Sequence, residues 1–393
     1  MPPAPYTRVL VLVLDGLGIG ALPDADAYGD QGSNTVGNVA RRVRLRLPAL
    51  RALGLDRLLD LSGPAARAAP QGAFGRMAEA SPGKDSVTGH WELMGLRLEE
   101  PFPVFPAGFP RDLIDAFERR IGSATLGNVA ASGTEIIEAL GRRHLETGWP
   151  IVYTSADSVF QLAAHEEVIP PARLYAMCEA AYELVVLGRG MGRVIARPFV
   201  GEPGRFRRTA NRRDFAMPPS GPTLLDRLHD RGLPVVAIGK VEDLFAGRGI
   251  SRAVHTSSDE EGMDCVERVM GESSRGLVLA NLVDFDTVYG HRNDVGGYAA
   301  HLERFDARLS QVVGRLAPDD LLVITADHGN DPSTPSTDHS REYVPLLAAG
   351  RRVAAGVDLG TRPTFADLGQ TLAENFGLAP LAHGTSVLSS IMR

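Results

Sequence analysis

With 393 residues, 44% of them hydrophobic and 23% charged, the chain has an ordinary globular composition and enough length for two or three domains. A formal net charge of −7 gives no support for a general nucleic-acid binder. The only cysteines, Cys178 and Cys265, are far apart, which fits a reduced, cytoplasmic setting and not a disulfide scaffold.

Along the chain, Val9-Leu-Val-Leu-Val-Leu14 is a continuous apolar run closed by Asp15. It is too short to span a bilayer and lacks the basic flank of a signal peptide, so it predicts a buried parallel strand. No other stretch is long enough to cross a membrane, so no membrane partner is expected. The Gly16-Leu-Gly-Ile-Gly20 turn that follows lacks the spacing of a dinucleotide fingerprint, and an acid stands where a pyrophosphate would approach. Further apolar runs occur at Val235 to Ile238, Leu277 to Val283 and Leu321 to Ile324. A helical pattern from Tyr298 to Leu316 places Leu302, Phe305, Leu309 and Val313 on one side. Alternating strands and helices predict an α/β sheet covered on both faces. Functional residues of such sheets gather beyond the carboxyl ends of the strands, where Asp15, Asp286 and Asp327 each follow an apolar run. Between these parts lie two punctuated passages, Pro101-Phe-Pro-Val-Phe-Pro106 and Met217-Pro-Pro-Ser-Gly-Pro222. They predict an inserted domain over 101–217, with core segments 1–100 and 218–393.

In Asp286-Thr-Val-Tyr-Gly-His291, Thr325-Ala-Asp-His328 and Thr337-Asp-His339, the two aspartates Asp286 and Asp327 and the three histidines are candidate ligands, all in predicted loops. Carboxylate oxygens mixed with imidazole nitrogens suit Mn2+ or Zn2+. Five such residues exceed one catalytic tetrahedral ion and point to a two-metal centre, an arrangement used for displacement at phosphorus. Taken singly, His291 and His339 also read as ordinary surface histidines. Asp327-His328 after a buried strand costs desolvation unless something compensates.

In Gly83-Lys-Asp-Ser-Val-Thr-Gly-His-Trp-Glu92, Ser86 and Thr88 are hydroxyls of a predicted loop. Such residues serve as turns or helix caps, and a serine also becomes a nucleophile beside a metal. No Gly-x-Ser-x-Gly elbow supports a hydrolase triad.

The stretch Lys84 to Glu92, Tyr153 to Ser158, Ala163 to Glu167, Gly192 to Gly204, Asn281 to Asp286 and Thr325 to Asp331 together resemble the phosphopentomutase family of the alkaline phosphatase superfamily. The metal motifs alone would specify the superfamily; the segments around Asp157 and Arg193 carry the narrower likeness. The resemblance implies an alkaline-phosphatase-like core sheet flanked by helices, with an inserted smaller α+β cap domain. It implies two Mn2+ per chain, one on Asp15, Asp327 and His328 and the other on Asp286, His291 and His339. Ser86 falls at the nucleophile position between both ions, where the family usually carries threonine; Thr88 is the nearby alternative. The implied reaction interconverts α-D-ribose 1-phosphate and D-ribose 5-phosphate, and the 2-deoxyribose phosphates, through a phosphoenzyme and a bisphosphate intermediate. Glucose 1,6-bisphosphate or a similar bisphosphate would be an activator. Ser155, Asp157, Arg193, Arg208 and Lys240 would contact the sugar phosphate, while Arg205, Arg207, Arg212 and Arg213 read as solvated surface. A phosphomonoesterase or a phosphoglycerate mutase would share the ligand set, and a catalytically silent metal or sugar-phosphate binding protein is the alternative outside enzymes.

Overall fold

In Arg8–Leu14 all seven residues are buried, including the arginine. Arg8 stands beside Asp320 in the neighbouring strand and meets its two oxygens at 2.9 and 2.6 Å, so the charge enters the interior already paired. Val9 to Leu14 are each 0% exposed, and each fully buried Val or Leu contributes about 1.5–3 kcal/mol of transfer free energy. The run therefore belongs at the centre of a sheet.

The computed structural model describes residues 4–61, 69–155 and 158–393. They form two units, Met1–Glu100 with Pro219–Arg393, and Pro101–Pro218. In chain order the strands are β1 (Arg8–Leu14) and β2 (Ala73–Met77) in the first unit. The second unit holds β3 (Leu126–Ala130), β4 (Ile151–Thr154), β5 (Val159–His165), β6 (Arg193–Val200), β7 (Arg207–Arg208) and β8 (Arg213–Ala216). Back in the first unit come β9 (Val235–Ile238), β10 (Arg252–Val254), β11 (Gly276–Leu282), β12 (Asp320–Thr325), β13 (Val344–Ala349) and β14 (Asp358–Arg362).

The larger sheet has the order β10-β9-β11-β1-β12-β13-β2-β14. From β10 to β12 it is parallel, and β13 is antiparallel to both β12 and β2. The expected α/β core is thus borne out. The helix predicted from Tyr298 to Leu316 spans Val295–Gly314 and buries Leu302, Phe305 and Leu309. It begins three residues earlier because Asp294 caps it, accepting from the Gly297 amide at 2.8 Å.

The smaller sheet runs β3-β4-β5-β6-β7, with β8 paired to β6. On one face the helices Arg111–Ile121 and Pro171–Tyr182 pack Phe117, Leu174 and Cys178 against Phe160 and Val194. On the other, Ile136 and Ile137 of helix Gly133–Thr147 cover Ile151, Ala163 and Phe199. Among the described residues no helix is long and apolar enough to cross a membrane.

Candidate metal centre

β11, β1 and β12 run in parallel register, with Leu282 beside Leu14 and Thr325 beside Val13, so their carboxyl ends reach one edge together. Asp15 follows β1 directly, Asp327 lies two residues beyond β12 and Asp286 four beyond β11. β13 is antiparallel to β12 and starts at this edge, which brings His339 ahead of it to the same place. β2 is antiparallel to β13 and ends there, and the chain leaving it leads to Ser86. Topology alone therefore assembles groups separated by hundreds of residues.

Ser86 opens the helix Ser86–Leu93, where the sequence predicts a loop. The difference comes from Asp85, whose carboxylate accepts from the amides of Val87 and Thr88 at 3.0 and 3.1 Å and nucleates the first turn. The Thr88 hydroxyl donates to the same carboxylate at 2.6 Å and is buried. Ser86 Oγ instead lies 3.1 Å from His328 Nε2 and 3.5 Å from Asp15 Oδ1. Asp286 and His291, also predicted in a loop, occupy two successive turns, a wide π-type turn over Phe285–Tyr289 and a tight 3-10 turn over Gly290–Arg292. The wide π-type turn brings residues about five apart to one side, and His291 Nε2 sits 3.1 Å from Asp286 Oδ2.

His339 Nε2 approaches Asp286 Oδ1 at 3.4 Å, and His328 Nε2 approaches Asp15 Oδ1 at 3.3 Å and Asp327 Oδ2 at 3.5 Å. Ligand atoms of Asp286, His291 and His339 all lie within 4.8 Å of one another, as do those of Asp15, Asp286 and His328. All six candidate ligands meet at one place, with Asp286 common to both triples. His328 Nδ1 faces the Gly329 carbonyl at 3.0 Å and His291 Nδ1 the Thr337 carbonyl at 2.6 Å. Nδ1–H of each ring donates to its carbonyl, so that in the neutral ring the Nε2 lone pair is aimed at the centre.

Burial would raise the Asp286 and Asp327 pKa values, but the imidazoles outweigh it. Asp286 is held well below the usual range by His339 and His291, and Asp327 falls to about 2 through His328 and His90. Conversely, burial disfavours charge on His291, yet Asp286 lifts its pKa to about 9; Asp327 and Asp15 likewise raise His328 well above its ordinary value. Without metal, protonated His291 and His328 are therefore favoured beside carboxylates that, among the described residues, pair with no Lys or Arg, and a metal ion would displace those protons. Asp327 Oδ2 and His90 Nε2 are buried without a hydrogen-bond partner among the described residues. Buried anions with an orphaned oxygen and preset Nε2 lone pairs match the needs of divalent cations.

Several residues of the site were not singled out from sequence. Asn281 donates to Asp15 Oδ2 at 3.0 Å, and Asn330 donates to Asp286 Oδ1 at 2.7 Å. His90 Nδ1 lies 3.1 Å from Asp327 Oδ2. Arg341, two residues past His339, donates to the carbonyls of Glu79, Ser81 and Gly83 at 3.0, 2.8 and 2.6 Å and to Glu79 Oε2 at 2.9 Å. It thereby ties the chain carrying His339 to the loop that leads into Ser86. The signal was present in one case, since Asn281 is a lone amide inside an apolar strand.

Of the residues expected to contact substrate, Lys240 is exposed just beyond β9, at the same edge of the larger sheet. In the smaller unit Ser155 follows β4, Arg193 opens β6, and Arg208 of β7 donates to Thr134 Oγ1 at 2.6 Å. Asp157 lies outside the described residues. Arg205, Arg207, Arg212 and Arg213 are exposed, with Arg212 paired to Asp214 at 2.6 Å and Arg213 over the rings of Tyr175 and Phe215.

The profile of the metalloenzyme superfamily matches residues 7–380. The phosphopentomutase of Caldanaerobacter subterraneus subsp. tengcongensis is 54% identical over 384 residues, covering 98% of each chain. That of Carboxydothermus hydrogenoformans is 55% identical over 374 residues, 95% of this chain and 96% of its own. Among solved structures, the phosphoglycerate mutase of Leishmania mexicana covers 98% of each chain with a TM-score of 0.51 and 14% identity, a likeness of fold alone. With near-complete coverage at such identity, the chain belongs to the phosphopentomutase family, a family of isomerases within the metalloenzyme superfamily.

Proposed function

We propose that the protein interconverts α-D-ribose 1-phosphate and D-ribose 5-phosphate, and the 2-deoxyribose phosphates, with Ser86 carrying the phosphoryl group. The observation that carries this reading is the position of Ser86 Oγ, 3.1 Å from His328 Nε2 and 3.5 Å from Asp15 Oδ1, inside the cluster of candidate ligands. Asp15, Asp327 and His328 would hold one divalent ion and Asp286, His291 and His339 another. When bound, Mn2+ at these positions would neutralise charge on the transferring phosphoryl group and ease ionisation of the serine hydroxyl.

The chain's own residues supply the rest. Phosphoserine 86 gives its phosphoryl group to the free hydroxyl of the sugar phosphate: the Oγ–P bond breaks, the new O–P bond forms, and Oγ keeps the electron pair. The proton lost by the sugar hydroxyl balances the pair left on Oγ, and a bisphosphate results. After the sugar turns, Oγ attacks the other phosphorus and the isomer leaves. Arg193, Arg208 and Lys240 would hold the phosphate not in transfer, a task suited to bidentate guanidinium contacts. Ser155 and Asp157 would orient the sugar hydroxyls. A sugar bisphosphate such as glucose 1,6-bisphosphate would restore a serine that has lost its phosphoryl group.

Incubation of the Mn2+-loaded protein with ribose 5-phosphate, followed by separate assay of ribose 1-phosphate and free phosphate, tests the reading. Isomer is expected as the main product. Release of phosphate without isomer would favour a phosphomonoesterase. Ser86→Ala is expected to abolish both turnover and the phosphopeptide containing residue 86; unchanged turnover rules out Ser86 as carrier.

A further inference from the structure

Outside the candidate ligands, one cluster of acids and imidazole stands out: Asp259, Asp284 and His301, whose ligand-type atoms also lie within 4.8 Å of one another. His301 lies on helix Val295–Gly314, and Asp259 is the first residue of helix Asp259–Glu272. These groups hydrogen-bond one another and their neighbours. Arg304 points an N–H at His301 Nδ1 at 3.1 Å, and a guanidinium only donates, so the ring proton sits on Nε2. That N–H reaches Asp259 Oδ2 at 2.7 Å. The other Asp259 oxygen accepts from the Asp284 amide at 3.0 Å, while Asp284 Oδ2 accepts from the Asp259 amide at 2.8 Å. Three of the four carboxylate oxygens already have donors.

The same contacts grip one segment, residues 284–291, which carries Asp286 and His291. Asp284 is held by the reciprocal pair of bonds. Phe285 meets the His301 ring with centroids 4.4 Å apart, and Tyr289 meets it at 5.0 Å. Arg304 also donates to the Tyr289 hydroxyl at 3.1 Å. A single π-type turn followed by a single 3-10 turn carries this segment, and neither continues into the longer i→i−4 ladder of an α-helix. We infer that His301, fixed by Asp259 and Arg304, is a positioning residue that holds the Asp286–His291 segment ready to bind metal. Groups hydrogen-bonded or packed behind ligands commonly set metal affinity by 10–100-fold. This inference rests on the two-ion reading above, but its first test does not.

In metal-free protein, amide hydrogen exchange reports the segment directly. His301→Phe keeps a ring between Phe285 and Tyr289 but removes the bond to Asp259. Peptides covering 284–291 are expected to exchange faster in that variant, while those covering Ser86–Leu93 and β12 stay as in the wild type. Should His301→Phe not fold, Asp259→Asn serves instead, since an amide cannot accept from both partners as a carboxylate does. Mn2+ titration with EPR then separates the sites. One of the two Mn2+ sites is expected to weaken about tenfold, with loss of the spin-coupled signal, and His301→Gln, which retains an N–H, should recover most of it. Unchanged exchange over 284–291, or equal weakening of both sites, overturns the inference. A wild type that binds fewer than two ions overturns the two-ion reading, and the exchange result still decides the role of His301.

Discussion

Glu342 is buried at 1% exposure and meets only donors: the Gly20 and Thr35 amides and the hydroxyls of Thr35 and Ser340, at 2.7–3.2 Å. Among the described residues no Lys, Arg or His pairs with it, so burial dominates its donors and lifts its pKa from 4.5 to about 7. The folded state therefore keeps a proton that the unfolded chain has released above its own lower pKa. That contribution to stability is full below about pH 4.5 and is lost as pH rises through about 7. Relative to Glu342→Gln, the wild type should lose stability between those values, by up to about 3 kcal/mol. Urea unfolding of both proteins at a series of pH values checks the sign. A difference that is flat, or that moves in favour of wild type as pH rises, refutes it. Arg341 poses the opposite problem, since its guanidinium satisfies three carbonyls and the Glu79 carboxylate. Arg341→Met should cost about 3–5 kcal/mol by leaving Glu79 buried and unpaired, and Arg341→Lys less because one ammonium keeps the charge without the fork. Thermal melts rank the two.

At the scale of elements, the helix that begins at Ser86 depends on one capping residue. Asp85 accepts two amides and the Thr88 hydroxyl, and Ser86 is fixed only as well as that first turn is. Asp85→Ala should destabilise by about 1 kcal/mol, with Asp85→Asn nearly neutral because asparagine caps equally well. If Asp85→Asn also keeps isomerase activity while Asp85→Ala loses it, the cap acts by placing Ser86. Sequence made these elements legible unevenly. Apolar runs revealed β1, β9, β11 and β12 because a strand buried on both faces has no polar positions to blur its pattern. The turn over Phe285–Tyr289 and the helix start at Ser86 were invisible, since both depend on local hydrogen bonds that loops and caps share. Asn330 and Arg341 escaped notice for another reason: their partners, Asp286 and Glu79, lie 44 and 262 residues away.

For the whole molecule, the division of the chain carries a physical consequence. All six candidate ligands and Ser86 belong to the unit formed by Met1–Glu100 and Pro219–Arg393. The other, Pro101–Pro218, has its own sheet with apolar packing on both faces. A unit of this size with a core on each side of its sheet meets the usual conditions for folding alone. Expressed by itself, the Pro101–Pro218 fragment should melt cooperatively, with an unfolding enthalpy of about 80 kcal/mol at its midpoint. Conversely, replacing those residues by a flexible glycine-serine linker should leave Mn2+ binding at two sites, because no candidate ligand is removed. Isomerisation should be lost, since the proposed substrate contacts Arg193, Arg208, Ser155 and Asp157 go with the excised unit. Calorimetry of the fragment and Mn2+ titration of the excised protein test the two halves separately. If the fragment is unfolded while the excised protein binds metal, the smaller unit needs the larger one to fold. If the excised protein still forms ribose 1-phosphate, the proposed contacts from Arg193 and Arg208 are dispensable, and Lys240 in the larger unit is the first residue to replace.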